Sequence, residues 1–167
     1  MKATVVYQLG DDISTDVIYP GRFMATVLPT ETPQFAFADD LDFNTRLKLG
    51  KIAPGSVLLA GSNLGCGSSR EQAASCLKGY GLIVVAQSIA RIFLQNAVNL
   101  GLQAIVCPTI EGDVGDELDL LSDRIINVTQ GKTFPVVPLA PARQALIDAG
   151  GLIPYARNRL LQKAGRA

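Results

Sequence analysis

Gly65-Cys66-Gly67-Ser68-Ser69-Arg70-Glu71-Gln72-Ala73 sets two adjacent hydroxyls and a guanidinium directly after a glycine-rich turn. Glu71, Gln72 and the alanines after them are good helix formers. Ser68 to Glu71 fits the S-x-x-E capping pattern, which places the serines at a helix start. Unpaired backbone N–H groups and the positive end of the helix dipole would then meet Arg70 at the serine hydroxyls. Such a convergence binds a carboxylate or phosphate with a hydroxyl held against it; an ordinary glycine loop with a serine cap is the other reading. A serine hydroxyl is too weak an acid to ionise near neutrality. To serve as a base it needs Arg70, several amide N–H groups and a water-poor setting around its alkoxide, supplied by a lid or a second subunit.

Other chemistries are excluded or poorly supported. The Walker pattern G-x-x-x-x-G-K-[ST] is absent, as are the nucleophile elbow G-x-S-x-G and a G-x-G-x-x-G with a well-placed acid after it. The chain has no histidine, which removes a Ser-His-Asp triad, a Cys-His pair, an H-E-x-x-H zinc site and a histidine base. Its three cysteines, Cys66, Cys76 and Cys107, lack C-x-x-C spacing and form neither a disulfide framework nor a complete metal or cluster ligand set, so no metal is expected on this chain. Fifteen basic residues balance fifteen acidic ones, leaving no net field to draw in nucleic acid or an anionic membrane. No apolar run reaches the length of a membrane span and no signal peptide is evident, so a cytoplasmic protein is expected.

The elements that must position the loop follow from hydrophobic patterning. Thr4 to Gln8 reads as a first strand, followed by the polar turn Gly10 to Asp16 and a short extended Val17-Ile18-Tyr19 that Pro20-Gly21 breaks. Phe35 to Leu49 carries weaker helical patterning anchored by Phe35, Leu41, Phe43 and Leu47. Gly55 to Ala60 is a buried strand that enters the serine loop, Glu71 to Lys78 a helix closed by Gly79, and Leu82 to Ala86 a second apolar strand. Ile89 to Asn99 is a helix with Ile92, Phe93, Ala97 and Leu100 at helical spacing, and Ala104 to Cys107 a third strand. Successive β-then-α passages imply parallel strands with right-handed crossovers. Beyond Pro108 the chain turns polar, with Arg124–Thr129 and Thr133–Pro138 as strands about Gln130-Gly131 and Ala142–Asp148 as a last helix. The fold class is α/β, one domain over 1–156 with a partly parallel sheet, then a loosely held basic tail over 157–167. The serine loop lies at the carboxyl end of a strand, where open α/β sheets bind ligands.

Gly61-Ser62-Asn63-Leu64-Gly65-Cys66-Gly67-Ser68-Ser69-Arg70-Glu71 resembles the serine loop of the aconitase superfamily, and within it that of the 3-isopropylmalate dehydratase small subunits. Asp11 to Phe23 is similar to that family's N-terminal segment. Ser88 to Phe93 with Asn96, Asn99 and Gly101-Leu102 matches its central helix, and Gly150-Gly151-Leu152 its end. The resemblance covers nearly the whole chain. It implies a swivelling β/β/α domain that docks on a separate large subunit, as a heterodimer or heterotetramer. That partner carries a [4Fe–4S] cluster whose iron acts as Lewis acid on the substrate hydroxyl of a small dicarboxylate. By the same resemblance Ser68 is the base, Ser69 and Arg70 hold a substrate carboxylate and stabilise the alkoxide, and Asp16 is a supporting carboxylate; a turn-capping aspartate is the other reading of Asp16. The missing histidines and cluster cysteines would belong to the partner.

Substrate choice is expected to rest on Phe23-Met24-Ala25-Thr26, which in this family lines the pocket for the variable arm. Homoaconitase-like members place an arginine where Ala25 stands here, so a third carboxylate would be buried without a partner while an alkyl arm is accommodated. Isopropylmalate is favoured, with citramalate, dimethylmalate and homocitrate as alternatives; Ala25 is small and Met24 adaptable. Gln72 stands where a histidine is more usual. Arg22 either contacts substrate or forms a salt bridge that orients the loop.

Overall fold

Val57-Leu58-Leu59-Ala60 and Ile83-Val84-Val85-Ala86 are apolar at every position because both faces of these strands are covered. The computed structural model describes residues 1–165. Its sheet has seven strands: β1 (Lys2–Gln8), β2 (Val57–Ala60), β3 (Ile83–Ala86), β4 (Ala104–Val106), β5 (Glu117–Leu120), β6 (Arg124–Asn127) and β7 (Lys132–Pro135), in the order β4-β3-β2-β1-β5-β6-β7. β1 to β4 pair in parallel, and β5 to β7 continue from β1 antiparallel. The two ends of the sheet meet where the Val137 N–H donates to the Val106 carbonyl at 2.8 Å, so the sheet curls round on itself.

Two cores result. Val57, Leu59, Ile83 and Val85 point into the curl with Val5, Leu118, Ile125 and Phe134. The alternate residues Leu58, Ala60, Val84 and Ala86 face a layer of helices: α1 (Thr15–Ile18), α2 (Leu41–Lys48), α3 (Glu71–Gly79) and α4 (Arg91–Leu100). Ala73, Ala74, Leu77, Phe93 and Ala97 are the helical contributions, spaced for one face of each helix. Two further helices, α5 (Pro141–Asp148) and α6 (Leu152–Ala164), pack on α4 from outside and hold no fully buried side chain. No helix among the described residues is long and apolar enough to cross a membrane.

Several local expectations are corrected. Val17-Ile18 is not extended: Ser14 Oγ accepts from the Asp16 N–H at 3.1 Å and caps the single turn α1. Leu41, expected as an anchor, and Ile92, expected on the helical stripe, are exposed; Leu41 is the first residue of α2, before the helix meets the core. Gly79 is the last residue of α3 rather than its cap, and its role is contact, since a Cβ there would sit 2.3 Å from Pro33 Cγ. β5 comes from the acidic stretch read as polar, because Leu118 and Leu120 alternate inward. α6 runs through the expected boundary at 156/157: Pro154 lies in the helix's first turn, where a missing N–H costs nothing.

Candidate active site

The serine loop leaves the carboxyl end of β2 and is fastened on both sides by backbone. Segment 10–15 runs along one side, with Asp12 N–H donating to Ser62 O (2.8 Å), Gly65 N–H to Ile13 O (2.7 Å) and Thr15 N–H to Cys66 O (2.9 Å). On the other side Leu64 N–H donates to Ser88 O (3.1 Å) and Ala90 N–H to Leu64 O (2.8 Å). Gly65 is obligatory at φ +79°, since a Cβ would fall 2.3 Å from Phe93 Cγ. The polar, glycine-rich composition thus produces a rigid loop.

α3 begins at Glu71 with Arg70 as its N-cap, and no side chain caps it. The S-x-x-E box is therefore not formed, and Ser68 and Ser69 precede the helix instead of closing it. Neither hydroxyl makes a hydrogen bond among the described residues, so both remain available to a ligand.

The Arg70 side chain is 15 % exposed and turns back toward α1. Its Nη1 forms an ion pair with Asp16 Oδ1, although that buried nitrogen lies off the angle for a hydrogen bond. Its Nε faces Met24 Sδ at 3.1 Å. Asp16 Oδ1 also accepts from the Gly21 N–H at 3.1 Å, and a Cβ on Gly21 would meet Arg70 Nη2 at 3.1 Å. The Arg70 guanidinium, helped by the Gly21 N–H, holds the Asp16 carboxyl below the usual carboxylate range against the opposing effect of desolvation. Asp16, Arg70 and Met24 are thus one cluster beside the two serines.

Arg22 is directed elsewhere. It spans both oxygens of Asp39 (2.5 and 3.2 Å) and lies over the Phe23 ring. Ala25 is exposed and contributes no charge, while the Gln72 Nε2–H donates to the Met24 carbonyl at 3.3 Å and ties this stretch to α3. The sequence did not single out Thr15, Asp39 or Asn96 as site residues. Thr15 and Asn96 stand inside quoted motifs, but only folding reveals that they touch the serine loop. A cavity of about 520 Å³ between β4, the β5–β6 turn and α5 includes none of the serine-loop residues. Ser68 is half-buried and Ser69 exposed.

The thiols do not fit a cluster. Cys76 faces the helix-layer core, Cys107 lies within the curl, and Cys66 is in the serine loop. Burial pushes the Cys107 thiol up to about 11 and raises that of Cys76 as well, so both favour the protonated form that binds metal poorly. Among the described residues no three potential ligands converge.

Comparisons with known proteins agree in one direction. Residues 38–109 match the aconitase C-terminal domain. A 3-isopropylmalate dehydratase small subunit from Thermodesulfovibrio yellowstonii is 42 % identical over 161 residues, spanning 93 % of each chain. An isopropylmalate/citramalate isomerase small subunit from Methanocaldococcus jannaschii is 39 % identical over 163 residues, covering 94 % of each. A crystal structure of a 3-isopropylmalate dehydratase protein from the same organism superposes with a TM-score of 0.88 at 35 % identity, over 100 % of both chains.

Proposed function

The chain belongs to the 3-isopropylmalate dehydratase small-subunit family of the aconitase superfamily, and from that membership we propose how its residues work. It is the small subunit of a hydro-lyase that interconverts 2-isopropylmalate and 3-isopropylmalate by dehydration and rehydration, and it acts with a large subunit. The reaction lies in leucine biosynthesis, in the cytoplasm, with the assembly a heterodimer or heterotetramer. The [4Fe–4S] cluster of this enzyme class belongs to the large subunit; the thiols here are unsuited to it.

This chain's contribution is a base and an anion cradle. Ser68, as alkoxide, takes the proton from the carbon beside a substrate carboxylate, and that C–H electron pair becomes the new double bond as hydroxide leaves the neighbouring carbon. Arg70 and Ser69 hold the carboxylate. Asp16 holds the guanidinium in place through its second contact with the Gly21 N–H. The observation that carries this reading is the convergence of Asp16 and Arg70 on a loop with two unpaired hydroxyls at the carboxyl end of β2.

The substrate arm would lie along Met24 and Ala25. Arg70 is already assigned to the first carboxylate and Arg22 is engaged by Asp39, so among the described residues neither arginine is left for a third carboxylate. An alkyl arm fits, which favours isopropylmalate over homocitrate. The dual name of the Methanocaldococcus relative supports citramalate as a second substrate. The test is anaerobic reconstitution with the large subunit, comparing isopropylmalate, citramalate, dimethylmalate and homocitrate. Turnover of isopropylmalate is expected, and preference for homocitrate would refute the specificity argument. Ser68→Ala should abolish turnover and leave the complex intact.

A further inference from the structure

Side chains from two helices outside the serine loop hold two of its carbonyls. Thr15, buried in α1, donates its Oγ1–H to the Ser68 carbonyl at 3.2 Å. Asn96, on α4, donates its Nδ2–H to the Ser69 carbonyl, also at 3.2 Å. Both peptide units are trans, and in a planar trans peptide the C=O and N–H point in opposite directions. Fixing the carbonyls of Ser68 and Ser69 therefore also fixes the N–H groups of Ser69 and Arg70, which share those peptide units. Among the described residues neither N–H finds an acceptor, and α3 starts immediately beyond them. Two backbone donors are thus left free beside unpaired serine hydroxyls, and their direction is set from α1 and α4.

We propose that Thr15 and Asn96 are positioning residues for the proton transfer at Ser68, orienting the Ser69 and Arg70 N–H groups to stabilise the negative charge on the serine oxygen. The inference rests on Ser68 as the base. Neither side chain touches the substrate; each acts through a peptide plane. A donor aimed in advance at developing charge contributes more than one that must reorient during reaction.

The two positions fail differently when altered. Thr15→Val removes a buried hydroxyl at nearly constant shape and leaves the Ser68 carbonyl unsatisfied. Asn96→Ala removes an amide from a partly exposed helix face, so it tests the same effect without a buried defect.

The experiment uses the reconstituted two-subunit enzyme, measuring kcat and KM for isopropylmalate across pH in Thr15→Val, Thr15→Ser and Asn96→Ala. Each of Thr15→Val and Asn96→Ala is expected to lower kcat about 10- to 100-fold with KM changed less than about threefold. The rising limb of the kcat profile should move to higher pH, because a less stabilised alkoxide forms less readily. Thr15→Ser should restore both rate and limb. Wild-type kcat in both variants overturns the proposal, and so does a fall in kcat with the limb unmoved, which is what a packing defect alone would give. If Thr15→Val does not fold, Asn96→Ala decides by the same criteria. Ser68→Ala is measured beside them: full turnover there refutes the base assignment itself, whereas no turnover there with wild-type Thr15→Val and Asn96→Ala refutes only the positioning role.

Discussion

Arg70 uses different nitrogens for different tasks, Nη1 toward Asp16 and Nε toward Met24. A lysine offers one point charge and cannot span both. Arg70→Lys is expected to lower kcat/KM at least about 100-fold in the reconstituted enzyme, with most of the loss in KM if the carboxylate is held mainly in the ground state. Asp16 gives a pH prediction with a definite sign. Its carboxyl is held low by Arg70, so it stays ionised from neutrality down past its ordinary value of about 3.9. The stability it contributes is present above that value and disappears only as pH falls through the lower folded-state pKa. The side chain is more than half exposed, which keeps that contribution small. Asp16→Asn should therefore depress kcat/KM by a constant factor between about pH 5 and 8. A ratio of wild type to variant that slopes across this window would show that Asp16 titrates there.

At the scale of elements, the serine loop is held by what its glycines allow. Gly55 and Gly65 both have positive φ (+83° and +79°), but a Cβ on Gly55 meets nothing within 4 Å whereas one on Gly65 enters the Phe93 ring. Gly55→Ala should cost only the left-handed backbone penalty of about 1–2 kcal/mol. Gly65→Ala should cost at least about 3 kcal/mol and lower Tm by several degrees more than Gly55→Ala in thermal unfolding. This contrast was not legible in the sequence, where both are glycines beside apolar strands. β2, β3, β4, α3 and α4 were legible to within a residue or two, because continuous apolar runs and helical spacing are local signals. β5 and α6 were not. Two leucines in an acidic stretch give a weak alternation, and Pro154 reads as a breaker until its place in a first turn is known.

At the scale of the whole molecule, the sheet closes through a single bridge between Val106 and Val137, and the outer helices α5 and α6 lie beyond that closure. Residues after Ala156 are exposed along α6, and Arg159 over the Tyr155 ring is a modest surface contact. We expect the unit 1–156 to be self-sufficient: truncation after Ala156 should shift Tm by less than about 3 °C and leave activity with the large subunit intact. A larger loss of Tm would mean that the second half of α6 helps hold α4.

The sequence by itself determined the parallel half of the sheet, the position of the loop at a strand's carboxyl end, and a chemistry that cannot use a histidine of this chain. These follow from residue type and short-range spacing, which folding does not change. Only the tertiary structure decided that Ser68 does not cap α3, that Arg70 reaches Asp16 while Arg22 goes to Asp39, and that Thr15 and Asn96 grip the loop. Apart from the missing cap, each of these joins segments separated along the chain. Their pairing depends on how the curled sheet and its helix layer bring those segments together, and no local pattern records it.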